Sequence, residues 1–433
     1  MRMKITSAVA AAAAGALLLT ACGGGDDAGG DTGGDGDTLT LWHFESETSA
    51  MGVAWDEAIR VFEEETGATV EFEARSFEQI RSTASQVLNS DEAPDILEYN
   101  KGNATAGLLA SQGLLTPITE AVEEHGWDDM LAPALQTTAR YSDEGVMGSG
   151  EWYGVPNYGE YVTVYYNQDA FEAQGLAVPT TLEEFESALQ TFVDAGITPL
   201  AQAGLEYPLG QLWYQFAVQE ADRQWVNDYQ LYEGEVDWDG EPITYATDKI
   251  KEYVDRGFIS PDASGLRAED AGVSFISGDA PVFFSGSWWY GRFVEEVDGF
   301  EWATFLFPES DLTLGSAGNM WAVPTNAANP DLAYEFIDIT MRPEIQALLG
   351  NNGGLPVAAN VEDITDEKSR ALIDEFNTVN ERDALAFYPD WPTPTFYDDI
   401  VAELQELVNE TKTAEEVRTS LGESYESYAA DFR

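Results

Sequence analysis

The residues best suited to chemistry lie between Trp152 and Leu176, in WYGVPNYGEYVTVYYNQDAFEAQGL. Trp152, Tyr153, Asn157, Tyr158, Glu160 and Tyr161 present flat apolar faces beside hydrogen-bonding tips. A sugar ring requires that mixture: an aromatic platform under its CH face, and amide or carboxylate partners around its hydroxyl rim. Ionised acids accept strongly from hydroxyls and suit the rim. Elsewhere Trp213, Trp288 and Trp321 fall beside predicted loop or strand ends, which marks them as further candidate platforms, although a single tryptophan is more often core.

Catalytic alternatives have less behind them. With 79 Asp and Glu in the chain, a carboxylate pair at glycosidase spacing, Glu45 with Glu160 for example, can be assembled on almost any fold. A secreted, lipid-anchored glycoside hydrolase therefore stands as the alternative reading on availability alone. There is no G-x-S-x-G elbow, H-E-x-x-H motif or Walker loop. His43 and His125 are too few for a His-rich metal centre, and Cys22 is the only cysteine, so no metal, cofactor or internal disulfide is expected.

Those candidate residues need elements to hold them. Gly154 to Tyr158 reads as a turn, a strand follows from Tyr161, Asn167 caps a short helix and Gly175 stops it. Upstream, a strand at Thr38 to Phe44, a helix at Ala50 to Glu65, a strand at Thr69 to Glu73, a helix at Phe77 to Leu88 and a strand beginning at Ala93 predict a parallel sheet with helices on its faces. A third helix is expected from Ala104 to Leu109. A ligand crevice then lies at the carboxyl ends of the strands, in the loops His43 to Thr48 and Glu98 to Asn103, which carry His43, Glu45, Glu47, Tyr99 and Asn100. Downstream, the pattern predicts helices at Thr181 to Asp194, opened by a Thr181/Glu184 capping box, at Leu209 to Gln219 and at Thr247 to Arg256. It also predicts a strand at Pro281 to Phe284, a helix capped at Asn329 and a mainly helical end. Nearly 400 residues beyond Thr38 exceed what one core usually covers, so two lobes are expected.

Met1 to Ala21 carries Arg2 and Lys4 before a short apolar run, the form of a secretory signal sequence rather than a membrane span. Leu19-Thr20-Ala21-Cys22 resembles the lipobox of bacterial lipoproteins, which implies lipidation at Cys22 and attachment to the outer face of the cytoplasmic membrane through lipid alone. Gly23 to Asp37 holds only Gly, Asp, Ala and Thr and is expected to be a solvated tether.

Three motifs in register, GVPNYGEYVTVYYNQDAF, GLAVPTTLEEFESAL and GITPLA, resemble the extracellular solute-binding proteins of sugar-importing ABC transporters, of the type of maltose-binding protein. PDILEYN, SQGLLTPI, FISGDAPVFFSGSW and the Ala333 to Gln346 segment extend the resemblance over nearly the whole chain from Thr38. It implies a two-lobed α/β periplasmic-binding-protein fold of type II, each lobe a mainly parallel sheet flanked by helices, with a cleft between lobes. Lobe 1 is expected at 38–160 plus 319–358 and lobe 2 at 161–318 plus 359–433, the chain crossing near Glu160 and again at Ser316 to Gly318. The implied ligand is a carbohydrate, the partners are ABC permease subunits, and the protein is expected to be a monomer without enzymatic activity. Expected contacts are Glu45, Tyr99, Asn100, Tyr158, Glu160, Trp213, Trp288, Gly318, Asn319, Trp321 and Phe396. Tyr207 and Trp391 stand where the family often turns residues toward the cleft.

The formal net charge is −59, and removing a leader that contains Arg2 and Lys4 and no acid makes it more negative. Such a chain repels nucleic acid and anionic lipid surfaces, so nucleic acid is excluded as a partner. The acids are dispersed over amphipathic helices as well as concentrated in the tether, and their mutual repulsion is screened by salt. Thermal melts from low to high salt are therefore expected to show a rising midpoint; a flat series would mean that self-repulsion does not limit stability.

Overall fold

The computed structural model describes residues 38–433; the predicted leader, Cys22 and the tether lie outside the described residues. Thr38–His43 (β1), Ala50–Thr66 (α1), Thr69–Ala74 (β2), Phe77–Leu88 (α2) and Ile96–Tyr99 (β3) form the expected alternation. Local chemistry sets the helix ends. The Ser49 side chain accepts from the Gly52 N–H, Gly67 closes α1 at φ 72°, and Ser76 with Gln79 makes a capping box on α2. β1 pairs in parallel with β2 and with β3, as two helical crossovers require.

The chain then passes through Val155–Pro156 (β4) into Tyr158–Asn167 (β5), all ten residues of which are buried. β5 begins three residues before the expected Tyr161, because Tyr158 and Gly159 already pair with Pro356 and Leu355. Leu182–Asp194 (α3), Leu200–Ala201 (β6), Pro208–Gln219 (α4), Glu241–Asp255 (α5), Val282–Gly286 (β7), Tyr290–Glu296 (α6) and Trp302–Phe305 (β8) follow. The second sheet has the order β8-β5-β7-β6. Here the expectation of mainly parallel strands needs correction: only β6 and β7 pair in parallel, while β5 is antiparallel to both β7 and β8. The reason is topological. β7 and β8 run the same way, joined by α6, and β5 arrives from the first sheet and is interposed between them.

Gly315–Ala317 (β9) lies antiparallel on β5, Ser316 opposite Glu160, and leads into Met320–Ala322 (β10), which returns to the first sheet beside β3. That sheet has the order β2-β1-β3-β10-β4. The two crossing segments, one outgoing and one returning, therefore lie side by side. Leu39, Leu41, Trp55 and Phe62 pack with Phe336 and Ile337 of Pro330–Met341 (α7) on one sheet; Tyr165, Phe275, Phe283, Phe293 and Trp302 pack on the other.

Four local expectations are revised. Asn103–Gly107 forms a π-helical turn before Leu108–Ser111, with the Asn103 side chain donating to the Gln230 carbonyl and accepting from the Met147 N–H. Thr181 accepts from the Glu184 N–H, but Glu184 turns to the N–H and hydroxyl of Thr180 instead of closing a box. Asn329 stands at the N-cap but makes no side-chain cap; its Nδ2 donates to the Thr38 carbonyl and its N–H to Asp95. The helix expected from Thr247 starts earlier, at Glu241, with a proline in its first turn. The chain ends with helices at Glu367–Glu381, Phe396–Val408 (α8) and Ala414–Ala429.

Candidate ligand-binding site

A cleft of about 300 Å³ opens where the strand ends of both sheets meet. Its floor is polar. Glu45 comes from the loop after β1, Asn100 and Lys101 from the end of β3, Tyr158 and Glu160 from β5, and Asn319 from the turn between β9 and β10. Lys101 Nζ lies 2.5 Å from Glu160 Oε1 and 3.3 Å from Asn319 Oδ1, while Asn319 Nδ2 donates to the Tyr158 hydroxyl at 2.8 Å. The Tyr158 hydroxyl makes a longer contact, 3.4 Å, to Glu98 Oε1. Lys101 is 2% and Glu160 5% exposed, so this ion pair is a buried one. The ammonium also sits 5.6 Å and 5.5 Å from the ring centroids of Tyr388 and Trp391.

One ammonium serves several carboxyls. Glu45 opens partly to the cleft, yet desolvation pushes its carboxyl up to about 7, with Glu160 adding to the rise and the Ser49 hydroxyl, 3.0 Å away, opposing it. Glu98 is held well above the usual carboxylate range by burial first and by Glu45 second. Asp390, across the cleft, is raised by burial to about 6. Neither Glu45 nor Asp390 is in a salt bridge among the described residues.

The walls are aromatic. Trp288 and Tyr207 meet edge to face at 6.0 Å, Trp288 and Tyr388 lie 6.2 Å apart, and Phe44 meets Phe77 edge-on at 5.4 Å. Gly286 explains why a tryptophan fits at 288: a Cβ there would stand 1.9 Å from the indole, which folds back over the glycine. Partly open aromatic faces above a floor of carboxylate, amide and ammonium groups match a polyhydroxylated ring.

A family model described as bacterial extracellular solute-binding protein matches residues 45–347. The chain belongs to that family. In sequence it is similar to a probable sugar-binding periplasmic protein of Rhizobium meliloti, 26% identical over 63% of this chain; the match spans 61% of that relative's own length. In structure it resembles a chitin oligosaccharide binding protein, with TM-score 0.77 and 21% identity over 92% of this chain and 100% of the other. A solute-binding protein of Thermotoga lettingae bound with α-D-tagatose superposes with TM-score 0.76 and 19% identity, over 91% and 100%. At those identities the likeness is one of fold, and it is the two-lobed type II fold of periplasmic binding proteins.

Within this solute-binding protein, Glu45, Asn100, Tyr158, Glu160, Trp288 and Asn319 border the cleft, and the other expected contacts do not. Trp213 is fully buried, its indole N–H donating to Thr247; Gln211, two residues away and so on the opposite side of α4, borders the cleft instead. Trp321 packs edge-on against Trp55 and Phe336. Tyr99 lies in the core, and Phe396 points among Tyr229, Trp238 and Tyr425 while its neighbour Tyr397 faces the cleft. Gly318 accommodates the Tyr158 ring, 2.3 Å from where its Cβ would be, rather than a ligand. His43 is buried, stacked on Phe72 at 4.1 Å, and its Nδ1 accepts from the Glu45 N–H. The expected set lacked Lys101, Tyr388, Asp390 and Tyr397. The only signal for Lys101 was a base directly after a buried strand in a chain with 20 bases against 79 acids.

Lys101→Met removes the ammonium and leaves Glu160 buried without its partner. It is expected to cost about 3–5 kcal/mol in urea unfolding, and Lys101→Met with Glu160→Gln is expected to regain most of that. A second expectation concerns pH. The raised Glu45 carboxyl binds more protons in the folded than in the unfolded chain, so its contribution to stability is full at acid pH and is lost as pH rises toward and through about 7. His43, lowered by burial to about 4, acts oppositely below its ordinary value of 6.5. Glu45→Gln against wild type isolates the first effect: the variant's melting midpoint should gain on wild type between pH 5 and 8, and parallel profiles would show that Glu45 titrates normally.

Proposed function

We propose that this chain is the substrate-binding lipoprotein of a carbohydrate ABC importer, capturing a sugar or oligosaccharide outside the cell and delivering it to the permease. The observation that carries the reading is the juxtaposition of Trp288, Tyr207 and Tyr388 with Glu45, Asn100, Lys101, Glu160 and Asn319 in one cleft. Relatives in sequence and in fold are named for sugar binding. The reading keeps the lobes at 38–160 plus 319–358 and 161–318 plus 359–433, with hinges near Glu160 and at Ser316 to Gly318. Cys22 carries the lipid and is the sole anchor, and the protein works as a monomer tethered to the outer face of the cytoplasmic membrane. Solute bridging both lobes stabilises the closed form relative to the open one; a solute touching both forms equally would shift nothing.

This protein is proposed to bind without catalysis. A glycoside hydrolase needs two carboxyls free to act on the glycosidic bond. Of the Glu45 and Glu160 pair that the sequence offers for this, Glu160 has an oxygen committed to Lys101 at 2.5 Å. Glu45 and Asp390, which lack a basic partner, suit sugar hydroxyls, and Asp390, the more ionised of the two at neutral pH, opposes an anionic sugar.

A thermal-shift screen against D-xylose, D-galactose, xylobiose, N,N′-diacetylchitobiose, raffinose and D-glucuronate tests this, each solution being assayed afterwards for products. A cognate sugar at a hundred times its dissociation constant is expected to add about 2.7 kcal/mol to folding stability and to be recovered intact. Glucuronate should be the weakest of the monosaccharides. Trp288→Ala should weaken the cognate sugar roughly ten-fold or more. Product formation would move the assignment to a hydrolase, and silence from every sugar would remove the carbohydrate reading.

A further inference from the structure

The rim of the cleft carries a second constellation whose members lie more than 300 residues apart in sequence. α2, the crossover helix between β2 and β3, contributes Glu78 and Arg81; α8, packed among the helices that cover the second sheet, contributes Tyr397 and Asp398. Arg81 Nη2 donates to Asp398 Oδ1 at 3.0 Å, and its guanidinium carbon stands 4.1 Å from the centroid of the Tyr397 ring. The Tyr397 hydroxyl donates to Glu78 Oε1 at 2.7 Å, while Glu78 Oε2 takes Arg81 Nε at 3.1 Å. The ring is 8% exposed and also borders the ligand cleft, beside Phe77 at the start of α2. One face of Tyr397 is thus covered by a cation and its tip is tied to a carboxylate, both from the opposite side of the cleft.

We propose that Glu78 and Arg81 are positioning residues that clasp Tyr397 and Asp398 across the cleft mouth, so that the Tyr397 ring becomes a ligand-facing wall when the two sides come together. The inference rests on the reading of the protein as a binder that closes on its solute. Arg81, Glu78 and Asp398 do not border the cleft, so they act on the solute through Tyr397 and through closure. A contact made only in the closed form raises the closed population and with it the apparent affinity. It matters more in a chain this acidic, because like charge on both sides of the mouth opposes closure, and Arg81 is one of only 20 basic residues. An exposed ion pair alone contributes little; a guanidinium stacked on a largely buried ring and hydrogen-bonded to two carboxylates contributes more.

The test uses the full chain and two readouts. Small-angle X-ray scattering without sugar reports the separation of the two sides, and stopped-flow tryptophan fluorescence with D-galactose, xylobiose and N,N′-diacetylchitobiose reports association and release. Arg81→Glu is expected to enlarge the ligand-free radius of gyration and to weaken binding roughly ten-fold, chiefly by faster release. Asp398→Arg alone should act in the same direction, and the exchange of both charges, Arg81→Asp with Asp398→Arg, should restore radius and release rate toward wild type. Tyr397→Phe, which keeps the stacked ring and loses the bond to Glu78, should fall between. If Arg81→Glu does not fold, Arg81→Gln carries the same comparison. Unchanged radius and release in a folded Arg81 variant, or a charge exchange that restores neither, would overturn the clasp while leaving sugar binding intact. If wild type binds none of the sugars, the sugar reading fails, and the ligand-free scattering still decides whether the rim contact holds the two sides together.

Discussion

Burying charge is the constraint to which the floor of this cleft is fitted. Glu45, Glu98 and Glu160 converge on a region served by one ammonium, Lys101, which is itself almost inaccessible to water. An arrangement of this kind persists only if the ammonium is held against a carboxylate, if amides and hydroxyls satisfy the remaining oxygens, and if some carboxyls keep their protons. The first and third are present and the second in part, since one Glu98 carboxyl oxygen is buried without a hydrogen-bond partner, which itself favours the protonated form. Glu160 receives Lys101, Asn319 and Tyr158 carry the hydrogen bonding outward, and the Glu45 and Glu98 carboxyls are shifted toward the protonated form. The cost falls on stability, and what it leaves is a set of fixed polar groups facing a solute-sized space.

That constraint explains the route of the chain. The groups come from four separate places in the sequence, and β5 is what brings them together. It starts beside β9 at the cleft floor and continues as a central strand of the second sheet, contributing Tyr158 and Glu160 before it leaves the floor. β9 and β10 run back along the same line and contribute Asn319. The loops after β1 and β3 complete the floor because parallel strands of a βαβ unit end on one side of the sheet.

Legibility in the sequence follows the range of the interaction. The start of the short helix after β5 was readable because its cap, Asn167, acts within one turn of itself. Trp288 was marked by its place just after the strand at Val282–Gly286 and by the family resemblance, and its indole folds back over Gly286 two residues away. Tyr388 and Tyr397 were not, since their cleft positions depend on a loop and a helix docking near strand ends some 300 residues earlier. Trp213 and Phe396 mark a different limit. α4 is buried from Pro208 to Val218, so no apolar stripe distinguishes the side bearing Gln211 from the side bearing Trp213. β3 is buried at all four positions, which silences the alternation that would have separated Tyr99 from a cleft residue.

The pairing of β5 with β9 has a mechanical side. Gly159 to Tyr161 and Gly315 to Ala317, with Leu355 and Pro356 on the other edge of β5, form a narrow ribbon, and such a ribbon flexes across its flat face far more easily than it slides along its length, since sliding would break every cross-strand hydrogen bond. If the proposed hinges act here, a swing about this strip would move the distant mouth through a long arc and the adjoining floor hardly at all. Glu160 and Asn319, next to the pivot, would keep nearly the same geometry throughout. A solute would therefore engage its polar partners before the aromatic walls arrive, and on release would lose the walls first.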